Sequence, residues 1–309
     1  MSSHEVIIKV QNLVKNYGEF KAVKGIEFEV NKGEVFGLLG PNGAGKTTTL
    51  EMLVGLRKPD QGTAKIAQYD IIKDLHKVKE VIGVQLQSTS LFELLTVEEI
   101  LHLYASFYPR HVSIPSLIDD MLLSDKRNER IKGLSGGQKQ RLAIALALVH
   151  DPVIIFLDEP TTGLDPQARR TLWDIILRLK EKGKSIMLTT HYMDEAHVLC
   201  DRIAIMDQGQ LIALDTPSEL VKNLQSDSTV EFRFKSEAGD VNLLDILGVK
   251  QLGNHKDVYV LYTDDLQTTL MSLITFASEK QLDLMYLQTR TATLEDVFIH
   301  MTGRSLREG

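Results

Sequence analysis

The sequence predicts an α/β protein: a core with a mixed sheet, a helical subdomain within it, and a small α/β domain at the C-terminal end. Three observations point there. Val35–Leu39 and Val153–Leu157 are continuous apolar runs, as expected of buried parallel strands. Each run leads into turn residues and then a helical pattern, the signature of strand–loop–helix units. After residue 226 the pattern changes, and shorter strand and helix signals begin again. The expected division is 1–225 for the core, with the helical subdomain at about 88–150, and 226–309 for the second domain.

In chain order, Val6–Val10 and Ile26–Val30 read as strands, the second with Glu27 and Glu29 alternating outward. Asn31, Lys32 and Gly33 make a turn. Val35–Leu39 precedes a glycine-rich loop and a helix through Thr48, Leu50, Met52 and Leu53, stopped near Gly55 and Pro59. Glu98–His150 is mainly helical. Val153–Leu157 is the second buried strand. Asp165 and Pro166 form an N-cap and first turn, and Gly183 closes that helix. Ser185–Leu188 and Ile203–Met206 are further strands. Thr216, Pro217 and Glu219 open a short helix in capping-box style, ending near Gln225. In the tail, Thr229–Phe234, Val258–Tyr262 and Leu284–Leu287 read as strands. Val241–Leu247 and Leu266–Lys280 read as helices. Thr293 caps a last helix through Met301, ended by Gly303.

Composition excludes several classes. With 43% hydrophobic and 25% charged residues over 309 positions, the chain is globular rather than disordered. A net charge of -7 lacks the basic balance of a protein held on nucleic acid by bulk charge, so no nucleic-acid partner is expected. The single cysteine, Cys200, allows no intramolecular disulfide and reads as a small core residue. Met1–Lys9 shows no secretory pattern. The longest apolar runs, such as Leu142–Val149, fall far short of the roughly 20 residues that span a bilayer. Any membrane role therefore runs through a partner.

The strongest motif is Gly40-Pro41-Asn42-Gly43-Ala44-Gly45-Lys46-Thr47, followed by Thr48. It fits G-x-x-x-x-G-K-S/T and lies between an expected strand and an expected helix. Glycines let the backbone wrap phosphate oxygens, and the loop N–H groups and helix N-terminus present positive dipole to the anion. Lys46 adds a point charge for the β/γ-phosphates, and the Thr47 hydroxyl is placed for Mg²⁺. A plain turn has no need of the Lys-Thr pair. The second motif is the strand Val153–Leu157 ending in Asp158, Glu159 and Pro160. Asp158 suits Mg²⁺, through its hydration shell. Glu159 suits a general base for water, or its orienting group. The third is Leu134-Ser135-Gly136-Gly137-Gln138 before a helix, a candidate second anion site. Two phosphate loops with one magnesium site suggest that two chains share nucleotides.

In this order the motifs closely resemble those of the ATP-binding subunits of ABC transporters, over roughly residues 5–225. The resemblance implies a P-loop NTPase core, ATP and Mg²⁺ as ligands, and ATP hydrolysis coupled to transport. It implies that Tyr17 stacks on adenine and that Gln87, in Ile82-Gly-Val-Gln-Leu-Gln87, contacts Mg²⁺ and water. Gln85 is a second candidate, and the register after Gly83 favours Gln87. His191, in Leu188-Thr-Thr-His191, corresponds to the switch histidine, and Gly163-Leu164-Asp165 to the loop crossing a dimer interface. The implied assembly is a head-to-tail homodimer in which Ser135–Gln138 of one chain cover ATP on the Gly40 loop of the other. It docks on the cytoplasmic face of the cell membrane through a multi-span permease, with Phe92–Val97 resembling the receiving segment. Leu294-Glu295-Asp296-Val297-Phe298 and Met301–Arg304 resemble the ending of bacterial multidrug and antibiotic exporter ATPases, implying export of a drug, antibiotic or other amphipathic compound. An importer ATPase, or a soluble ATPase of the family in DNA repair or translation, is the alternative. The α/β tail weighs against the first, and the single cassette with its short Gln87–Ser135 interval against the second. His197 and the group Lys73, Lys77 and Lys79 read as ordinary solvated positions.

Overall fold

The computed structural model describes residues 5–87, 91–224, 228–235, 242–255 and 258–302. In it the chain divides into two compact units, Met1–Thr216 and Pro217–Glu308. This division precedes the expected one near residue 226. Helix Pro217–Lys222 joins the second unit because it packs on that unit's last helix, Leu294–Thr302.

The first unit opens with β1 (Val6–Tyr17) and β2 (Phe20–Asn31), an antiparallel pair. Both run past the expected Val6–Val10 and Ile26–Val30. Irregularities of register around Val10, Leu13 and Val14 break the strict alternation that marks a strand in sequence. Next come β3 (Val35–Leu39), α1 (Lys46–Leu53), β4 (Gln61–Ile66) and β5 (Tyr69–Asp70). β4 and β5 complete a sheet of order β2-β1-β4-β5. α2 (Leu75–Val81) leads to β6 (Ile82–Gln85). The helical segment contains α3 (Val97–Ala105), α4 (Ile114–Asp120) and α5 (Gly136–Leu148). α3 begins in a full capping box made by Thr96 and Glu99. Then follow β7 (Ile154–Asp158), α6 (Pro166–Glu181), β8 (Ser185–Thr190), α7 (Met193–Leu199), β9 (Arg202–Asp207) and β10 (Gln210–Asp215).

The second sheet has the order β10-β9-β3-β8-β7-β6, parallel from β9 to β6 with β10 antiparallel at its edge. It is mixed, as expected. Every residue of β3, β7 and β8 is buried, and their side chains are apolar on both faces except at the strand ends, where Asp158, Ser185, Thr189 and Thr190 are buried polar groups. The rings of Phe28 and Phe36 stack in the core at 5.2 Å. Cys200 is buried, and burial pushes its thiol far up, so it is the core residue expected rather than a nucleophile.

The second unit comprises α8 (Pro217–Lys222), β11 (Ser228–Phe234), β12 (Gln251–His255), β13 (Val258–Thr263), α9 (Leu266–Glu279), β14 (Leu284–Thr291) and α10 (Leu294–Thr302). Its sheet, β12-β13-β11-β14, is wholly antiparallel. Val230, Phe232 and Leu261 share a core with Leu273 of α9. Elsewhere in the unit, Arg290 grips Asp296 through two nitrogens and also reaches Glu231. Burial pushes the Asp296 carboxyl up, but Arg290 and the Thr293 N–H outweigh it and hold it below the ordinary value. Burial, with Asp296 nearby, pushes the Tyr262 hydroxyl up to about 12. Asp296, Val297 and Phe298, from the motif singled out in the tail, are all buried.

The expected helix Val241–Leu247 is a correction: only Leu243–Asp245 turns, as a 3-10 helix. Asn242 caps it, and Gly248 at φ 90 soon follows, leaving too few residues to nucleate an α-helix. Strand β12 went unread because its Gly253 and Asn254 disfavour strands. The expected stop at Gly303 lies outside the described residues.

Candidate functional site

Strands β3, β6, β7 and β8 run parallel, so the segments that follow them emerge at one edge of the sheet. Open α/β sheets bind ligands at this carboxyl edge. β3 delivers Gly40, β7 ends at Asp158, β8 hands over to His191, and β6 leads to Gln87. Tyr17, Asn42, Gly43, Gly45, Lys46, Thr47, Thr48, Gln87, Glu159 and His191 line one cavity of about 570 Å³.

The loop is forced to use glycine. A Cβ on Gly40 would meet the Met206 carbonyl oxygen at 2.1 Å. One on Gly45, at φ +105, would meet the Ala22 oxygen at 2.5 Å. Both contacts are with backbone, which cannot yield by a rotamer change. Gly45→Ala is therefore expected to cost on the order of 1–3 kcal/mol of stability from backbone strain alone. It should also weaken ATP binding by about tenfold or more, since the loop must shift. Thermal melting and equilibrium binding check this; a variant equal to the parent in both removes the steric account.

Lys46 is the first residue of α1 and is buried. Its ammonium donates to the carbonyls of Gly40 (2.8 Å) and Pro41 (3.0 Å) and lies 3.4 Å from Glu159 Oε1. Ala44 supports the turn, its N–H donating to the Pro41 carbonyl. Burial pulls the Lys46 pKa down, with Glu159 opposing. Glu159 stands in the left-handed region at φ 47, a conformation that stores strain in a non-glycine residue. Its second oxygen, Oε2, accepts from Thr162 Oγ1 at 3.1 Å and from Gln87 Nε2 at 3.4 Å, and lies 3.3 Å from His191 Nδ1. Burial pushes its carboxyl up, but Lys46 and His191 together hold it below the usual range. Asp158 Oδ1 accepts from Thr47 Oγ1 at 3.2 Å and from Thr189 Oγ1 at 2.5 Å. Burial raises its pKa against these two hydroxyls.

Thr47 and Asp158 thus put two hard oxygen donors side by side, which suits Mg²⁺. Among the described residues no group of three His, Cys, Asp or Glu side chains is placed to hold a metal. Gln87 reaches Glu159, whereas Gln85 is buried and donates to the Leu86 carbonyl. Tyr17 is half exposed, with the Arg57 guanidinium 5.4 Å over its ring.

Nine expected residues do not line this cavity: Gly40, Pro41 and Ala44 of the phosphate loop, Asp158 at the end of β7, and five others. Ser135 and Gln138 form a capping box at the start of α5, beside Gly136 and Gly137. Asp165 caps α6 through the N–H groups of Gln167 and Ala168. His197 and the three lysines are exposed. The cavity adds Phe20, Ala22 and Thr162, which the sequence reading lacked. Phe20 pairs with Tyr17 across a two-residue turn, and Thr162 lies one turn beyond Glu159. Both positions were readable from spacing, whereas Ala22 carries no signal.

A family model described as ABC transporter matches residues 23–162. The linearmycin resistance ATP-binding protein LnrL of Bacillus subtilis (strain 168) is 35% identical over 315 residues, 98% of this chain and 100% of that protein. The Nod factor export ATP-binding protein I of Ralstonia nicotianae is 36% identical over 307 residues, 98% of this chain and 95% of that protein. A solved ATP-binding cassette, a dimer in a post-hydrolysis state bound to ADP and Pi, is 29% identical with a TM-score of 0.61, covering 68% of this chain and 98% of its own. Identity of this extent along the whole chain decides the family: the chain belongs to the ATP-binding, ATP-hydrolysing subunits of ABC transporters.

Proposed function

We propose that this chain hydrolyses Mg-ATP in the cavity at the end of β3 and so powers export of a drug, antibiotic or other amphipathic compound by a multi-span permease. The observation that carries the chemistry is the convergence of Lys46, Gln87 and His191 on the Glu159 carboxylate beside the phosphate loop. The Gly40–Thr48 loop binds the phosphates through its N–H groups and the N-terminus of α1. Lys46 exchanges its Glu159 contact for phosphate oxygen. Thr47 and Asp158 would hold Mg²⁺, with Gln87 at hand; when bound, the ion neutralises charge on the phosphates. Once Lys46 turns to phosphate, its pull on the Glu159 carboxyl is relieved and the basicity of Glu159 rises, as suits a group that takes a proton from the attacking water. His191 donates to the γ-phosphate, and Tyr17 stacks on the adenine.

Ser135–Gln138 and Asp165 lie outside the cavity of their own chain, which supports a head-to-tail homodimer in which they complete the partner's site. The dimeric cassette among the structural neighbours supports the same assembly. No helix among the described residues is long and apolar enough to cross a membrane, so the permease supplies the crossing and the chain rides on its cytoplasmic face. Phe92 and Leu94 expose apolar side chains suited to that contact. Export is supported by two full-length relatives, one named for linearmycin resistance and one for Nod factor export.

The test is affinity capture of the tagged chain from detergent-solubilised membranes of its native host. A multi-span membrane protein recovered at comparable abundance is the expected result. Recovery of ribosomes or repair proteins with no membrane protein would overturn the transporter role and leave only the nucleotide chemistry.

A further inference from the structure

We infer that Thr189 is a positioning residue for ATP hydrolysis, its one hydroxyl setting both acids of the site; this rests on the ATPase reading above. Thr189 is fully buried in β8, next to Asp158 in the register of β7 and β8. The residues before it in the strand, Ile186, Met187 and Leu188, are apolar and buried, and Thr190 ends the strand after it. Valine would serve the strand and the packing equally well, so the fold does not call for a hydroxyl here.

Both bonds of that hydroxyl go to the site. Thr189 Oγ1 lies 2.5 Å from Asp158 Oδ1 and 3.0 Å from the Glu159 amide nitrogen. The proton order is fixed by chemistry. An amide N–H only donates and an ionised carboxylate only accepts, so Thr189 accepts from Glu159 and gives its single proton to Asp158. One side chain therefore ties the backbone of the base to the carboxylate beside Thr47. The tie falls where it is needed, because Glu159 stands at φ 47, a conformation that persists only when its surroundings enforce it. The Thr189 carbonyl, 3.1 Å from the same N–H, is a second acceptor. Loss of the hydroxyl would thus loosen the site without leaving a buried donor unpaired. The other donor to Asp158 is Thr47. If Thr47 turns its oxygen to a metal, Thr189 is the donor that keeps Asp158 in place. Groups that orient metal-holding carboxylates in this way typically influence affinity or rate by about 10–100-fold.

The test compares the full chain with Thr189→Val and Thr189→Ser. Affinity for a fluorescent ATP analogue is measured in EDTA and in Mg²⁺, alongside kcat and KM. For Thr189→Val, binding in EDTA should match the parent. The tightening by Mg²⁺ should fall about tenfold, and kcat by about 10–100-fold. Thr189→Ser should restore both. Should the valine chain not fold, Thr189→Ala is compared with serine in the same way. Parent-like behaviour of the valine chain, or a serine chain as impaired as valine, would overturn the proposal. The metal-dependent binding reads Thr189 without turnover, whereas a parent chain that binds but never hydrolyses ATP would count against the ATPase reading instead.

Discussion

Glu159→Gln is expected to bind ATP at least as tightly as the parent and to hydrolyse it about a thousandfold more slowly, within the range lost with a general base. The substitution keeps the volume of the side chain and an oxygen able to accept from Thr162, so the cavity retains its shape. It removes the negative charge 3.4 Å from the Lys46 ammonium. In the nucleotide-free chain that leaves a buried cation with two carbonyl acceptors and a more distant carboxylate, Asp158. The free variant should therefore be less stable than the parent, because a buried charge stripped of its partner is costly. Phosphate replaces the lost anion, so the rise in melting temperature on adding Mg-ATP should be larger in the variant. Mg-ATP should also accumulate a dimer that no longer turns over, visible by size-exclusion chromatography with light scattering. Single-turnover phosphate release decides the main point. A variant that releases phosphate like the parent would falsify the role of Glu159 as base.

What could be read from sequence follows from how local each signal is. Val35–Leu39 and Val153–Leu157 were legible because strands buried on both faces carry unbroken apolar runs. The phosphate loop was legible because its residues act in one turn of chain, and steric demands at Gly40 and Gly45 leave few alternatives. β12 and the turn at Leu243–Asp245 were missed because weak propensity there is overruled by pairing with β13 and by a side-chain cap. The meeting of Lys46, Glu159 and His191 is a product of topology. β8 lies between β3 and β7, although all of β7 precedes it in the chain and β3 is far upstream. Sequence supplied Lys46 and Glu159 through their motifs and His191 through a family resemblance, and not the contacts among them. Thr189 shows the limit most clearly. A threonine ending an apolar run looks like strand propensity, and only the register Asp158↔Thr189 turns it into a partner of both acids.

Ser135→Arg is expected to abolish turnover while leaving ATP binding to the isolated chain unchanged. Ser135 is exposed at the N-cap of α5 and is absent from the cavity that holds Lys46 and Glu159. An arginine there meets open solvent in a single chain. Its local cost is the lost cap, about 1 kcal/mol, which a modest fall in melting temperature would register. In a shared site the same position faces the partner's nucleotide. There the bulky side chain keeps the two halves apart, so the N–H groups at the start of α5 never reach the γ-phosphate. Removal of even one preorganised donor to a developing charge costs about 10²–10³ in rate, and this substitution withdraws several together. A mixing experiment separates the shared-site arrangement from any defect within the chain. Ser135→Arg contributes an intact Lys46–Glu159 cavity, and Glu159→Gln contributes an intact α5 terminus. A mixed dimer therefore pairs one complete site with one doubly defective site, and turnover should return when the two inactive variants are combined. Activity of Ser135→Arg alone at the parent's rate, or the failure of any mixture to recover turnover while mixed dimers form, would place the whole reaction within one chain and remove the head-to-tail assembly.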